Sequence, residues 1–252
     1  LHYAQDLGAD KIATGHYVRN KKVDGRVQLL KGLDLGKDQS YFLYGLNQEQ
    51  ISSALFPIGD LEKQNVRERA EKLGFDIFDK KDSTGICFIG ERDFKEFLQQ
   101  YIPAQPGIIV TSSGSKVDDH NGLMYYTLGQ RKGLGIGGGY GDGKGAWYVL
   151  DKDLENNELI VGQGHDHAGL YQKRLTASDI HWISGEAPNS ENLKAKIRYR
   201  AQDATCRITE LNNTDISVEF EEPRFAIAPG QSVVFYSENI CLGGAIIDKA
   251  FN

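Results

Sequence analysis

The stretch Lys194-Ala195-Lys196-Ile197-Arg198-Tyr199-Arg200-Ala201 alternates basic residues with apolar or aromatic ones. Successive side chains of a β-strand point to opposite faces of a sheet. The alternation therefore predicts a strand whose one face carries Lys194, Lys196, Arg198 and Arg200 and whose other face packs inward. Such a row of cations fits the phosphates of a nucleic acid. A solvated edge strand that uses positive charge against aggregation is the alternative.

The sequence around this stretch predicts an all-β region. Residues 104–252 contain short alternating runs separated by Gly, Asn and Asp, with almost no helical periodicity. Two hairpins follow the basic stretch, Thr205–Phe220 around Asn212-Asn213 and Ser232–Asp248 around Glu238-Asn239. Together these strands predict a small C-terminal β-barrel.

Residues 1–103 predict a mixture of helices and strands. Lys11–Val18 predicts a short, buried strand that ends in a Gly15-His16 turn, and Asp24-Gly25 predicts a hairpin. Three helices are expected, at Gln48–Leu55 with Asn47 as cap, at Leu61–Leu73 with Asp60 as cap, and at Glu91–Tyr101. The second helix is expected to bury four apolar side chains, Leu61, Val66, Ala70 and Leu73.

One of the three cysteines differs from the others in its surroundings. Cys87 lies in Gly85-Ile86-Cys87-Phe88-Ile89-Gly90, just after two lysines and two aspartates. This pattern indicates a loop that presents a thiol, and nearby lysines favour the thiolate. The alternative is a buried cysteine acting as a small apolar side chain. Cys206 and Cys241 lie in strand-like runs and are expected to pack in the interior.

A glycine-rich segment, residues 126–139, carries Arg131 and Lys132. Its glycines Gly133, Gly135 and Gly138 match G-x-G-x-x-G, but no strand-to-helix transition frames them, so the match is discounted. A mobile loop that carries two cations describes the segment better.

Composition narrows the possible classes of protein. The 252 residues have a formal charge of −6, so contact with a nucleic acid requires a local basic patch. No apolar run approaches the roughly 18 residues of a membrane span, and no signal peptide is apparent. Three cysteines without secretory features fit the reducing cytoplasm. The sequence begins at Leu1 inside a helix-like pattern, which suggests a fragment.

Four motifs in order resemble the family of bacterial tRNA-specific 2-thiouridylases. They are Ala13–Val18, Lys37–Leu43, Asp82–Ile89 and Gly129–Gly135, and the resemblance covers the whole chain. It implies the C-terminal part of a Rossmann-like α/β ATP-pyrophosphatase domain at residues 1–89, a small central β-rich domain at 90–168 and a β-barrel tRNA-binding domain at 169–252.

The resemblance also implies the chemistry. Such an enzyme uses ATP and Mg²⁺ to adenylate C2 of the wobble uridine, position 34, in tRNAs for Lys, Glu and Gln. A persulfide on the cysteine matching Cys87 then supplies sulfur, giving 2-thiouridine, AMP and pyrophosphate. Its partners are tRNA and a persulfide-donating sulfur-relay protein, and a disulfide bond is a further implied feature.

Residue roles follow from the same resemblance. It implies that Gly15 lines the ATP site and that tRNA contacts His16, the Lys37-Asp38-Gln39 motif, Arg198-Tyr199 and Gln231. Weaker tRNA contacts are expected from the remaining cations, Arg131, Lys132, Lys194, Lys196 and Arg200. No residue is expected to bind a metal.

The sequence departs from the family in lacking the glycine-rich ATP motif of the type S-G-G-x-D-S and the first catalytic cysteine. ATP and Mg²⁺ are therefore expected to bind mainly outside this chain, which alone should be inactive. The rival hypothesis is a non-catalytic RNA-binding module. Cys87 separates the two, because a binding module does not need a thiol in a glycine-flanked loop.

Overall fold

The computed structural model describes residues 1–80, 97, 99–136, 145–189, 192–212 and 214–252. The chain forms two compact units. The first contains Leu1–Lys80, Lys173–Glu222 and Pro229–Asn252, and the second contains Lys81–Gln172 and Pro223–Ala228. The motif-bearing N-terminal residues thus share a unit with most of the C-terminal strands.

Helices and strands follow one another in this order. The first 80 residues hold α1 (His2–Asp6), β1 (Ile12–Ala13), β2 (Val18–Val23), β3 (Arg26–Lys31), α2 (Gln48–Ser52), β4 (Ala54–Leu55) and α3 (Lys63–Lys72). Next come β5 (Gly107–Thr111), β6 (Lys116–His120), β7 (Trp147–Asp153) and β8 (Glu158–Gln163). The last part holds β9 (Tyr171–Trp182), β10 (Lys194–Lys196), β11 (Ala204–Leu211), β12 (Asp215–Phe225), β13 (Ser232–Ser237) and β14 (Ile240–Phe251).

The C-terminal strands form a closed barrel. Among the described residues, six strands pair in the order β13-β10-β11-β12-β9-β14, and β14 pairs with β13 to complete the circle. The β11–β12 and β13–β14 hairpins have the predicted positions, with Glu238 in the left-handed region at the second turn. The predicted C-terminal barrel is confirmed.

The N-terminal hairpin extends the barrel sheet. Asp24 and Gly25 both have positive φ, and β2 and β3 pair around them as predicted. Strand β3 pairs in turn with β14, where Leu30 lies opposite Ile240 and Leu29 opposite Cys241. The two ends of the chain thus contribute to one core, made of Val18, Leu29, Tyr41, Ile51, Ile183, Val234, Tyr236 and Cys241. Burial of these apolar side chains stabilises the hairpin and the barrel together.

The second unit has its own core. Its described residues form a four-stranded sheet in the order β6-β5-β8-β7, with β5 and β8 parallel. The core beneath the sheet consists of Ile109, Val117, Leu123, Tyr126, Leu134, Val149, Leu159 and Val161. The central region is β-rich, as expected.

Three predictions for the N-terminal part are wrong in detail. Helix α2 keeps its Asn47–Gln50 capping box but ends at Ser52, because Ala54–Leu55 pairs in parallel with Ile12–Ala13. The strand expected at Lys11–Val18 is only two residues long, and both are exposed. Helix α3 begins at Lys63, after Glu62, and buries none of its residues.

The exposure of α3 has a physical reason. An apolar stripe is buried only where another element packs against it, and the described residues cover this stripe in part, leaving Leu61, Val66 and Ala70 half-buried. Leu73, which follows the helix, is 73% exposed. Gly74 ends the helix with positive φ, as predicted. Most of the helix expected at Glu91–Tyr101 lies outside the described residues. In the described part of the chain, no helix has the length and apolar character needed to cross a membrane.

Candidate nucleic-acid interface

The basic stretch is not one continuous strand. Strand β10 ends at Lys196, and the following residues turn, with the Ala201 amide donating to the Arg198 carbonyl oxygen at 3.0 Å. Lys194 is exposed, whereas Lys196 is buried. The prediction of four cations in a row on one exposed face is therefore wrong. Lys196 is turned inward because two carboxylates lie there to compensate its charge.

Those carboxylates belong to a cluster of four charged residues, of which Lys31, Asp38 and Lys196 are buried and the fourth, Asp203, is half-buried. The ammonium of Lys196 lies 3.3 Å from Asp38 Oδ2 and 3.8 Å from Asp203 Oδ1. Lys31 pairs with Asp203 and donates to the Glu238 carbonyl oxygen at 3.3 Å. Two cations and two anions balance, which offsets part of the cost of removing each charge from water.

Asp38 uses its carboxylate to shape the loop that carries the Lys37-Asp38-Gln39 motif. Its Oδ1 accepts from the backbone amides of Gly32 and Ser40, each at 3.1 Å, and its Oδ2 accepts from Ser40 Oγ at 2.9 Å. Ser40 Oγ lies 3.2 Å from the hydroxyl of Tyr236 on β13. Asp38 is therefore an internal support of the loop, and the prediction that it contacts tRNA is left untested by the structure.

The ring of Tyr236 packs against both lysines of the charged cluster. The ammonium groups of Lys31 and Lys196 lie 4.4 Å and 5.4 Å from its centroid, within the range of cation–π attraction. Burial raises the pKa of the Tyr236 hydroxyl far above its ordinary value. The hydroxyl therefore stays protonated and remains available as a donor to Ser40.

Gln39 joins two of the predicted motifs. Its Oε1 accepts from the Tyr17 amide at 2.9 Å, and its own amide donates to the Tyr17 carbonyl oxygen at 3.1 Å. His16 is thereby held beside the Lys37–Gln39 loop, and its Nδ1 lies 2.7 Å from Thr14 Oγ1. Gly15, between Thr14 and His16, is exposed, and a Cβ there would meet only Ile58 Cδ1 at 3.9 Å.

An aromatic group connects this loop to Arg198 and Tyr199. The ring of Phe42 lies 4.4 Å from that of Tyr199, centroid to centroid, with an interplanar angle of 39°. Tyr41 lies 6.5 Å from Tyr199 and donates its hydroxyl to the Ser232 carbonyl oxygen at 2.9 Å. The guanidinium of Arg200 lies 5.8 Å from the Tyr199 centroid.

These contacts bring most of the first unit's candidate residues together. We call the group His16, Lys37, Gln39, Phe42, Arg198, Tyr199, Arg200 and Gln231 the basic-aromatic face. Gln231 belongs to it because it precedes Ser232, which accepts from Tyr41 and whose Oγ donates to Tyr44 at 3.2 Å. Partial burial lowers the pKa of Arg198 from its ordinary value, although arginine keeps its charge at neutral pH.

Arg131 and Lys132 belong to the second unit. Both are exposed, in a loop that Gln130 organises by accepting from the Thr127 amide at 3.0 Å and donating to the Lys132 carbonyl oxygen at 2.9 Å. Gly129 and Gly133 adopt positive φ on either side. The segment 129–133 is thus a hydrogen-bonded turn that presents two cations.

The described thiols fit the packing role predicted for them. Cys206 and Cys241 are free and buried, and burial raises the pKa of each to about 12. Cys87, the predicted persulfide carrier, lies outside the described residues. Within the described ranges, no group of three His, Cys, Asp or Glu side chains is arranged to hold a metal ion.

Sequence reasoning missed Lys31, Ser40, Asp203 and Tyr236. The sequence did contain a signal for Lys31. It lies two residues after Leu29 on β3, so its side chain is on the same buried face of the strand. A lysine at an inward strand position indicates a buried partner. No local pattern marks Asp203, which follows the turn after β10 and meets Lys31 only in the folded chain.

Comparison with protein families divides the chain into three matched regions. Residues 1–91 match the tRNA methyl transferase HUP domain, residues 95–163 the tRNA methyl transferase PRC-barrel domain, and residues 172–247 the aminomethyltransferase beta-barrel domain. The third match coincides with the six-stranded barrel.

Several curated relatives are similar over almost the whole chain. The tRNA-specific 2-thiouridylase MnmA of Methylococcus capsulatus is 56% identical over 255 residues, covering 100% of this chain and 69% of the relative. The proteins of the same name from Salmonella typhimurium and Escherichia coli are 57% and 56% identical, each covering 98% of this chain and 67% of the relative. On this identity and coverage, the chain belongs to the tRNA-specific 2-thiouridylase family.

Proposed function

We propose that this protein thiolates C2 of the wobble uridine, position 34, in tRNAs for Lys, Glu and Gln, using ATP and a persulfide. The identity of 56% to a relative named tRNA-specific 2-thiouridylase, over the whole chain, carries the proposal. The basic-aromatic face supports it, because residues from three distant motifs lie together there and include the cations and rings that RNA-binding proteins use.

The proposed reaction has two steps. The C2 oxygen of uridine first displaces pyrophosphate from ATP, which turns a poor leaving group into a good one. The terminal sulfur of a persulfide on Cys87 then bonds to C2, and the C2–O bond breaks to release AMP. The product is released when a second thiol attacks the sulfur of Cys87. This attack breaks the S–S bond, leaves the outer sulfur on the uridine, and forms a disulfide between the second thiol and Cys87.

The other assignments belong to the same proposal. Residues 1–89 are the C-terminal part of a Rossmann-like ATP-pyrophosphatase domain, 90–168 a central domain and 169–252 the tRNA-binding barrel. Gly15 lines the ATP site, Mg²⁺ accompanies ATP, and a cytoplasmic sulfur-relay protein loads Cys87. Gly15 is exposed, so a ligand can reach its backbone, as a role in binding ATP requires.

Direct tRNA contacts are assigned to the basic-aromatic face, with weaker contacts from Lys194, Arg131 and Lys132. Asp38 and Lys196 are assigned an indirect role, since both are buried and paired with each other. Their contribution to tRNA binding is to hold the Lys37–Gln39 loop against β10.

A cellular assay tests the proposal. The natural full-length protein is produced in a bacterial strain that lacks its own 2-thiouridylase, and 2-thiouridine in bulk tRNA is measured by mass spectrometry. We expect 2-thiouridine with the unaltered protein and with Cys206→Ser, and none with Cys87→Ser, which should still bind tRNA. Substantial 2-thiouridine with Cys87→Ser would contradict the role of that thiol. An unaltered protein that binds tRNA but yields no 2-thiouridine would favour the non-catalytic RNA-binding module.

A further inference from the structure

Phe42 exposes an aromatic ring beside residues that are almost fully covered. Its side chain is 56% exposed, whereas the adjacent Tyr41 is 6% exposed and belongs to the core. The turn that carries both residues is already held by Asp38, through Ser40, and by the hydrogen bond from Tyr41 to Ser232. The hydrogen bonds that hold this turn therefore do not involve the side chain of Phe42.

The Phe42 ring is nevertheless held in one orientation. Tyr199 packs against it at 4.4 Å, and Tyr41 meets it at 5.6 Å with an interplanar angle of 82°, an edge-to-face contact. Two aromatic contacts reduce the freedom of the ring, while the residue as a whole stays 56% exposed. A preorganised exposed ring loses little entropy when a flat ligand stacks on it.

The charges around the ring favour an anionic ligand. Arg200 lies over the Tyr199 ring at 5.8 Å, Arg198 precedes Tyr199 in the chain, and Lys37 belongs to the loop that leads to Phe42. An exposed ring among cations matches the chemistry of an unpaired nucleotide, whose base stacks while its phosphate pairs with arginine. A double-stranded helix offers no free base face to such a ring.

We propose that Phe42 is a base-stacking residue that receives an unpaired nucleotide of the substrate RNA, with Tyr199 as the second ring of the platform. The inference rests on the proposed function and adds to it the mode in which Phe42 and Tyr199 bind the RNA. Stacking on an aromatic side chain changes affinity by about 5- to 150-fold when the ring is replaced by alanine.

Three variants of Phe42 and one control separate stacking from apolar packing. Affinity of the full chain for an RNA stem-loop with the anticodon sequence of tRNA(Lys) is measured with Phe42→Ala, Phe42→Leu, Phe42→Trp and Leu35→Ala. Leu35 is 69% exposed on the same segment and tests general loss of apolar surface. We expect both Phe42→Ala and Phe42→Leu to weaken binding by about 5- to 150-fold, while Phe42→Trp and Leu35→Ala bind within about twofold of the unaltered chain.

Quenching of tryptophan fluorescence by RNA provides a second measurement, and a change in folding alone would not produce it. The unaltered chain contains two tryptophans, Trp147 and Trp182, so its titration is the reference. We expect the RNA loop to quench the added tryptophan of Phe42→Trp, and a fully paired RNA of equal length not to do so. Unaltered affinity in Phe42→Leu, or no additional quenching, would overturn the stacking inference.

The double variant Arg198→Ala/Arg200→Ala distinguishes the failure of this inference from the failure of the proposed function. If the double variant weakens RNA binding and Phe42→Leu does not, only the stacking role is wrong. If neither variant weakens binding, the basic-aromatic face is not the RNA site, and both proposals about it fail.

Discussion

Lys196 and Asp38 are 158 positions apart in the sequence, and their charged groups lie 3.3 Å apart in the interior of the first unit. The two side chains are 10% and 1% exposed. Attraction between buried charges is strong, but each loses its hydration, so the net gain from such a pair is small. Its larger effect here is on geometry, because the pair fixes the Lys37–Gln39 loop against β10.

Removing one member of the pair is expected to be costly. Lys196→Met leaves Asp38 without its ammonium partner, and loss of one partner from a buried pair lowers the free energy of unfolding by about 3–5 kcal/mol. Lys194→Met, two residues away on the same strand and exposed, should change it by less than about 0.5 kcal/mol. Urea unfolding followed by circular dichroism measures both. Equal midpoints for the two variants would show that the buried pair contributes nothing.

Gly32 is expected to tolerate no side chain. A Cβ at this position would lie 2.5 Å from the Tyr17 carbonyl oxygen, which also receives the Gln39 amide. Gly32→Ala should lower the free energy of unfolding by about 1–3 kcal/mol through overpacking. Gly45→Ala is the control, since a Cβ there meets nothing within 4 Å. Thermal unfolding should show a lower midpoint only for Gly32→Ala. Coinciding unfolding curves for the two variants would mean that the backbone shifts to accommodate the added methyl group at little cost in free energy.

The basic-aromatic face is expected to bind tRNA in a salt-dependent way. Each phosphate contact releases a counterion, so replacing Arg198 and Arg200 together by Ala should weaken binding and flatten the slope of log affinity against log salt by about 1–2 units. The exposed pair Lys21 and Lys22 on β2 provides the control, replaced together by Ala. Binding is measured by fluorescence anisotropy with the full chain, because the barrel shares its core with the N-terminal hairpin. An unchanged slope in the arginine variant would place the phosphates elsewhere.

The buried thiols are expected to resist alkylation. Burial raises the pKa of Cys206 and Cys241 from 9.0 to about 12, so almost no thiolate exists in the folded protein between pH 7 and pH 9. Iodoacetamide should label Cys87 first and these two only after unfolding, as peptide mass spectrometry can measure. A group whose folded-state pKa is raised stabilises the fold fully below its unfolded pKa. That contribution should therefore decline as pH rises from about 9 towards 12. Rapid labelling of Cys206 in native protein at pH 8 would contradict its burial.

Local sequence signals predicted the hairpin turns and the Asn47 cap, whereas the predicted Asp60 cap is wrong, because α3 begins after Glu62. Asp24-Gly25 specifies its hairpin because both residues adopt the positive φ that a tight two-residue turn requires. Asn47 and Gln50 specify the start of α2 through two reciprocal hydrogen bonds. Such features depend on residues only a few positions away, so the local sequence is enough to predict them.

The orientation of Lys196 depends on residues that are distant in sequence. Alternation of basic residues is the same whether a lysine faces water or a buried carboxylate, and the partner Asp38 belongs to another motif. The same limit explains α3, whose apolar period does not reveal whether anything covers it. Resemblance to a family indicated the motifs that we propose bind RNA, but only the fold shows that Asp38 supports the loop from inside.

The pairing of β3 with β14 has a consequence for how the protein is made. Leu29 and Leu30 are synthesised before their partners Cys241 and Ile240, which lie 212 and 210 positions later in the sequence. Strand β3 therefore lacks its second partner until β14 has been synthesised, and an unpaired strand edge favours aggregation. Synthesis of β14 is therefore the event that permits the hairpin and the barrel to join. A nascent chain stalled before Ile240 should accordingly depend on chaperones that cover exposed strands.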